Sequence, residues 1–434
     1  MKLQTFQISF NNAQGVFNAG DSVSGVLHLH LLKPMKMRSI KLLFIGEAKT
    51  HWTVKQGKSK TNYRGREVYL NQVMYLYPPD ISSRGTETVD HPAGNHAYPF
   101  HLAIPADFPS SFEGKKGHVR YFCRATIDRP WKFDSQTKRA FTVIHHLDLN
   151  LIPHAVVPIY GEENKKIEGC CCDAGEMTVS LNIGKTGYVP GEPLTYHMYI
   201  DNQSDYHVNS AYLHLIQSVT YSGTSDSILS SGRPKFHTKT YDFNLFSENV
   251  SVRQHTNQHI NGSTLIPSLP PSNLDGCSII EIKYSVKMKV YCDSSSCVII
   301  RPITIGSIPV REHQPQASLI QSPSGYSSVE PAAPTAPFLT QEDISGVGPV
   351  LDVPKGPIMP PSYEEALAPP PSYSECVFGR TEIRDENDDR HTDGIMNWAP
   401  SYPYYDFTLR YGGQNPGVAT LGRGQSVEDY DDDD

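Results

Sequence analysis

The run from Ile280 to Val290 constrains this chain more than any other stretch. Ile280, Ile282, Tyr284, Val286, Met288 and Val290 alternate with Glu281, Lys283, Ser285, Lys287 and Lys289. Successive side chains of a strand point to opposite faces, so this run reads as a β-strand with one buried face and one wet face. The same period of two recurs elsewhere. Leu27, Leu29 and Leu31 enclose His28 and His30, and Tyr98, Phe100, Leu102 and Ile104 form another apolar row. Val119, Tyr121, Cys123, Ala125 and Ile127 alternate with mainly polar partners: Arg120, Arg124, Thr126 and Asp128. Turn residues punctuate these runs at Asn18-Ala19-Gly20-Asp21, Pro190-Gly191-Glu192 and Asn202-Gln203-Ser204-Asp205. No long stretch before residue 315 has helical periodicity. One wet face per strand predicts antiparallel sheets, and the expected class is an all-β sandwich.

The body also repeats itself. Phe17-Asn18-Ala19-Gly20-Asp21 resembles Tyr188-Val189-Pro190-Gly191-Glu192, Ile104-Pro105 resembles Ile266-Pro267, and Val119-Arg120-Tyr121 resembles Ile282-Lys283-Tyr284. The three pairs keep one order and a nearly common offset, which predicts two sandwiches of one type in tandem. The expected layout is a sandwich over 1–150, a linker over 151–173, a second sandwich over 174–311, and a tail over 312–434.

Charge marks the same divisions. The whole chain carries a net charge of −8. Residues 1–150 hold 20 Lys and Arg against 11 Asp and Glu, whereas residues 316–434 hold 6 against 20. The tail is also rich in proline, a composition expected to stay disordered because it has too little apolar surface to bury.

Several function classes fall away. No apolar run reaches the ~18–20 residues of a membrane span, and Met1 to Phe10 lacks the apolar core of a signal peptide. The expectation is a cytoplasmic protein, with Asn202-Gln203-Ser204, Asn249-Val250-Ser251 and Asn261-Gly262-Ser263 as ordinary polar turns rather than glycosylation sites. Its 8 cysteines are then free thiols. The balance is not basic enough for nucleic acid. Gly184-Lys185-Thr186 ends like a phosphate loop, but the first glycine required would fall on Val179, inside an alternating strand. Gly346-Val347-Gly348 lacks a third glycine, and neither HExxH nor GxSxG occurs. No enzyme activity, cofactor or metal is expected. His28 and His30 share a strand face without an evident third ligand, so they read as a surface pair. Cys292 and Cys297 read as a reduced pair in a hairpin. Cys170-Cys171-Cys172 between the sandwiches suits lipidation of a membrane-working protein.

One resemblance is specific. Ser111-Phe112-Glu113-Gly114, Gly117-His118-Val119-Arg120-Tyr121 and Arg129-Pro130-Trp131 resemble the signature of the N-terminal arrestin-type sandwich. Gly187-Tyr188-Val189-Pro190-Gly191-Glu192 resembles the opening of the C-terminal one, and Cys277-Ser278-Ile279-Ile280 leading to Tyr284 resembles one of its late strands. The pattern covers residues 1–311 and is similar to the arrestin-domain-containing proteins, the α-arrestins. The resemblance implies two β-sandwiches end to end and a trafficking adaptor that engages membrane receptors or transporters. It also implies work at the cytosolic face of the plasma membrane and endosomes. Arg124 falls near where receptor arrestins keep a buried activating arginine. Arg120 stands where an acidic neighbour would be sought, so a phosphate-triggered polar core is not expected.

The tail carries short motifs. Pro360-Pro361-Ser362-Tyr363 and Pro370-Pro371-Ser372-Tyr373 are both PPxY. Paired prolines hold a polyproline II helix, so little ordering entropy remains to be lost on binding, and the rings fill an aromatic groove. The tyrosine adds a flat apolar ring with a hydroxyl handle. This is the ligand type of WW domains, and the resemblance implies HECT-type ubiquitin ligases as the partners. Pro334-Thr335-Ala336-Pro337 resembles a ligand of the ESCRT-I complex, with a chance match in a Pro/Ala linker as the competing reading. Trp398, Tyr402, Tyr404, Tyr405, Phe407 and Tyr411 form an aromatic cluster with two open readings, docking back on the body or binding something else. Asp431 to Asp434 read as a solvated acidic end, or as a shield over a basic surface.

The first domain supplies that surface in Lys33, Lys36, Arg38 and Lys41, then Lys55, Lys58, Lys60, Arg64 and Arg66. They read as solvated strand faces and a loop, or as a site for acidic cargo tails or anionic lipid headgroups with peripheral membrane association.

Overall fold

The computed structural model describes residues 2–78, 88–168, 173–225, 233–248, 250–292, 295–311, 380–388 and 392–407. The first sandwich is built from β1 (Leu3–Phe10), β2 (Val16–Asn18), β3 (Ser22–Leu31), β4 (Met35–Met37), β5 (Ser39–Gln56), β6 (Ser59–Tyr77), β7 (Val89–His91), β8 (Gly94–Ala103), β9 (Phe112–Gly114), β10 (Gly117–Asp128) and β11 (Ser135–Ile144). The second uses β12 (Ile159–Glu168), β13 (Asp173–Ile183), β14 (Gly187–Tyr188), β15 (Pro193–Asn202), β16 (Val208–Ser225), β17 (Lys235–Glu248), β18 (Thr256–Leu265), β19 (Ile280–Cys292) and β20 (Ser295–Ile305). Two short 3-10 turns, Leu149–Leu151 and Pro153–Val156, join them. Near the end of the chain come β21 (Thr381–Glu382), β22 (Thr392–Ile395) and β23 (Asn397–Trp398).

The sheet β1-β3-β8 covers the inner face of β6-β5-β10-β11-β2, and Phe10, Phe44, Phe100 and Phe141 meet edge to face between the layers. In the second sandwich the sheet β12-β13-β15-β18 packs on β14-β20-β19-β16, with β17 beside β16. Pairing of Arg64 with Thr224 and of Tyr63 with Ser225 joins β6 to β16, so one sheet runs through both sandwiches. Alternation placed the core well. In β19 all six apolar residues from Ile280 to Val290 are buried.

The repeat read from sequence is a repeat of hydrogen bonds. The Gly20 amide donates to the Ile104 carbonyl and the Ile104 amide returns a bond to Asp21. In the second sandwich Gly191 donates to Ile266, and Ile266 to Glu192. Gly20 and Gly191 both have positive φ, 93° and 86°, where a Cβ would strain the turn. The Tyr121 hydroxyl donates to the Pro109 carbonyl at 2.8 Å, and the Tyr284 hydroxyl to the Pro270 carbonyl at 2.9 Å. Ser111 Oγ accepts from the Val143 amide, and Ser272 Oγ from the Ile305 amide, each at 2.9 Å.

Three expectations change. Residues 159–168, assigned to the linker, form the edge strand β12, paired with β13 from Ile159–Ile183 onward. Only Ile159, Gly161 and Ile167 of β12 are buried, which is why its polar sequence hid it. Asn202 is not a wet turn residue: its amide is buried and donates to the carbonyls of Tyr206, Val252 and Arg253. The disorder expected over 312–434 does not extend to residues 380–388 and 392–407, which lie against the body.

Candidate functional site

The outer face of β10 and β11 should be wet by its alternation, yet Phe122, Arg124 and Thr126 are buried along with the inward row, and so are Lys138 and Ala140. The cover is a strap made by residues 381–388 and 392–407. Its first part is a small hairpin in which β21 pairs with β23 and the Ile383 amide donates to the Met396 carbonyl at 2.9 Å. Ile383 fills the space over Phe122 and Ala140, with Met396 and Trp398 packed around it. Next comes a tight acidic turn. The Asp385 amide donates to Asp388 Oδ2 and the Asn387 amide to Asp385 Oδ1, each at 2.8 Å, so the short side chains organise their own loop.

That turn delivers two carboxylates to two cations. Arg124 Nη2 donates to both oxygens of Asp385, at 2.7 and 2.8 Å, and to Asp388 Oδ1 at 2.8 Å. Lys138 Nζ donates to Asp385 Oδ2 at 2.7 Å, Asp388 Oδ2 at 2.9 Å and the Ile383 carbonyl at 2.7 Å. Arg124 is 5 % exposed and Lys138 0 %. The Lys138 ammonium also lies 4.1 Å from the centre of the Phe122 ring, a favourable cation–π position. Burial alone would raise the Asp385 pKa, but the Lys138 hydrogen bond and charge, the Asn387 amide and the Arg124 charge outweigh it and hold the carboxyl below its ordinary value. Arg120, two steps earlier on the same face, is bound instead by Glu113, at 2.5 and 2.8 Å.

A buried charge cluster therefore exists where none was expected. Its acids come from the tail, about 260 residues away in sequence, and not from a neighbouring strand. Asp385, Asp388 and Lys138 were all missed. The local sequence signal was one apolar residue, Ile383, set among Glu382, Arg384, Asp385, Glu386 and Asp388.

The strap then follows the body. β22 pairs in parallel with β11, from Thr392–Gln136 to Ile395–Arg139. The Ser401 amide donates to Thr142 Oγ1, and the buried Tyr402 hydroxyl donates to the Ser111 carbonyl at 2.9 Å. Three residues on, the strap has reached the second sandwich. The Tyr405 amide donates to the Pro190 carbonyl at 3.0 Å and its hydroxyl to the Ser307 carbonyl at 2.7 Å. A Cβ at Gly191 would collide with the Tyr405 carbonyl oxygen. Of the two readings of the aromatic cluster, docking on the body holds for Tyr402 and Tyr405; Tyr411 lies outside the described residues.

The basic residues of the first domain do not form one surface. Lys33 and Lys36 are exposed beside the start of β5, and Arg38 is paired with Asp128 at 2.9 Å. Lys41 is half-buried on β5 opposite Tyr75. Lys55, Lys58, Lys60, Arg64 and Arg66 are exposed at and near the far tip of the β5–β6 hairpin, where Arg66 is bound by Glu47. Measured along β5, the two sets lie roughly 25–50 Å apart.

His28 is exposed, with Nε2 2.8 Å from Ser9 Oγ. Cys123, Cys277, Cys292 and Cys297 take part in no disulfide. Among the described residues no group of three or more His, Cys, Asp or Glu is arranged to hold a metal, and no helix is long and apolar enough to cross a membrane. The motifs at 334–337, 360–363 and 370–373, the cysteines at 170–172 and the acidic end at 431–434 lie outside the described residues.

Comparison with known proteins agrees with this architecture. Residues 6–150 match the family model of the arrestin (or S-antigen) N-terminal domain, and residues 173–310 match that of the arrestin C-terminal domain. Arrestin domain-containing protein 17 of Caenorhabditis elegans is 30% identical over 93% of this chain and 99% of its own length. Human arrestin domain-containing protein 1 is 26% identical over 89% of this chain and 78% of its own. Mouse thioredoxin-interacting protein is 23% identical over 93% of each chain. With both arrestin domains matched in tandem and a full-length relative at this identity, the chain belongs to the arrestin-domain-containing, α-arrestin-like proteins.

Proposed function

We propose that this protein is a trafficking adaptor that brings WW-domain HECT ubiquitin ligases to membrane receptors or transporters, promoting cargo ubiquitination, endocytosis and endosomal sorting. Membership of the arrestin-domain proteins supports an adaptor-type function in general. The observation that carries the specific reading is the duplicated PPSY, ending at Tyr363 and Tyr373. Both copies fall between Val310 and Thr381, two points held on the body. A partner with several WW domains engages the second copy intramolecularly, with a gain of ~10²–10⁴. The sandwiches then hold cargo while the motif segment holds the ligase, and catalysis belongs to the ligase.

Changing Tyr363 and Tyr373 together to Ala abolishes capture of a tandem-WW ligase fragment on this reading, and either change alone has a milder effect. Undiminished capture by the double variant overturns it. The Pro334-Thr335-Ala336-Pro337 motif supports a second reading, recruitment of ESCRT-I for vesicle budding; budding that survives removal of these four residues excludes it.

A further inference from the structure

The connection between β10 and β11 presents the most exposed aromatic side chains of the described molecule. Trp131 is 101 % exposed and Phe133 is 78 % exposed. Trp131 also has φ of 60°, a left-handed conformation that is costly for a bulky residue and is usually held for a reason. Two large aromatics exposed together, one of them on a strained backbone, mark a candidate docking point for an apolar partner.

The surroundings of this tip are set by register. Asp128, the last residue of β10, pairs with Ser39 at the start of β5, and the Arg38 amide and guanidinium both donate to Asp128, at 2.8 and 2.9 Å. Lys36 therefore lies two residues along an extended chain from the tip's base. Leu32, 54 % exposed, and Lys33 sit on the turn between β3 and β4 at the same end of the sandwich. Lys132 is exposed between the two aromatics. The described acids of this rim are engaged or opposed: Asp128 by Arg38, Asp134 by the Arg129 amide, and Asp90 across the β4–β7 ladder from Lys36. Lys33, Lys132 and Trp131 are exposed to solvent.

We propose that this rim is a membrane-docking face, with Trp131 and Phe133 entering the headgroup and acyl boundary of an anionic bilayer and Lys33, Lys36 and Lys132 lying against its phosphates. A bilayer fits better than an acidic peptide. The apolar residues are at the apex of the β10–β11 hairpin, with Lys132 between them and Lys33 and Lys36 on the neighbouring turn and strand, the mixture of aromatic and basic side chains of an interfacially bound protein. An extended acidic peptide would need a groove or an open strand edge, and a projecting tip is neither. The inference deepens the adaptor reading, on which it rests for its purpose; it assigns to the first sandwich a way to stand on the membrane that holds the cargo.

The test is vesicle binding by the full chain, without ligase or cargo, so that its outcome is independent of WW-domain capture. Vesicles of phosphatidylcholine alone are compared with vesicles that also contain phosphatidylserine, and brominated lipid reports tryptophan depth. The wild type binds the anionic vesicles with quenched fluorescence. W131S/F133S weakens binding about tenfold or more and removes the quenching. K33E/K36E weakens it about tenfold or more and reduces its salt dependence. K165E, on the exposed face of β12 in the second sandwich, serves as a control and leaves binding unchanged. No binding by the wild type, equal binding by W131S/F133S, or an equal loss in K165E overturns the proposal. So does binding of a soluble acidic peptide that depends on Trp131 while vesicles are ignored.

Discussion

The two sandwiches share the same internal bonds but treat the outer face of the same sheet in opposite ways. Aligned on Tyr121 and Tyr284, the outward positions of β10 correspond to those of β19, so Arg124 corresponds to Lys287 and Thr126 to Lys289. In the first sandwich this face is buried by the strap, with Arg124 and Lys138 both paired to Asp385 and Asp388. In the second, Lys287 and Lys289 are half-exposed, Lys289 lies over the Tyr291 ring, and Val298 and Ile300 of β20 face solvent. The difference teaches that alternation fixes which row faces the core. It does not fix whether the other row is wet, because a remote segment can cover it.

The largest effect that separates the two faces should come from the tail carboxylates. Changing Asp385 and Asp388 together to Ala leaves two buried cations uncompensated, and breaking a buried pair this way costs about 3–5 kcal/mol. Chemical denaturation of the full chain should show that loss, with faster proteolysis within 380–407. K287A/K289A, the counterpart on the second sandwich, should change stability by no more than about 0.5 kcal/mol. Equal losses from the two double variants would erase the distinction.

A pH series sharpens the same contrast. Asp385 has its pKa lowered in the folded chain, so its contribution is fully present above the unfolded value of about 3.9. It is lost as pH falls through the still lower folded value. Trp398 fluorescence should therefore report a docked strap at neutral pH and release only in the acid range below about 4. Release near neutrality would contradict the ion-pair account.

Smaller effects should be symmetric between the sandwiches. Y121F and Y284F each leave a buried proline carbonyl without its donor, at about 1–3 kcal/mol. Y284F also removes the acceptor of the Gln217 amide, 2.8 Å away, and should be the more costly. Y402F, which unpairs the Ser111 carbonyl on the strap's path, should cost about 1 kcal/mol. Differential scanning calorimetry on the three variants reads these values on one scale.

Much of this molecule was legible in its residues. Period-two alternation placed the strand cores, and three weak pairs of segments revealed a duplication whose hydrogen bonds match atom for atom. The strap was not legible, for a physical reason. Its anchors are Ile383, Asp385, Asp388, Tyr402 and Tyr405, scattered among Pro, Gly and charged residues, so composition resembles a chain with no core of its own. It needs none, because the core it completes belongs to β10 and β11. The edge strand β12 was missed similarly, since Glu162, Glu163, Asn164, Lys165 and Lys166 face water and few apolar residues mark its buried side. The basic residues were found individually, but their division into two sets depends on the length of β5.

Hydrogen exchange on the full chain tests the central claim, that one tail segment is held by both sandwiches, most directly. The Ile383 amide donates to Met396 inside the docked strap, the Tyr405 amide donates to Pro190 of the second sandwich, and residues 392–395 pair with β11. These amides should exchange far more slowly than an unstructured chain, and D385A/D388A should remove that protection at 383 and 392–395 while leaving β19 unchanged. Exchange at the unstructured rate in the wild type, or protection that survives in the variant, would contradict the account.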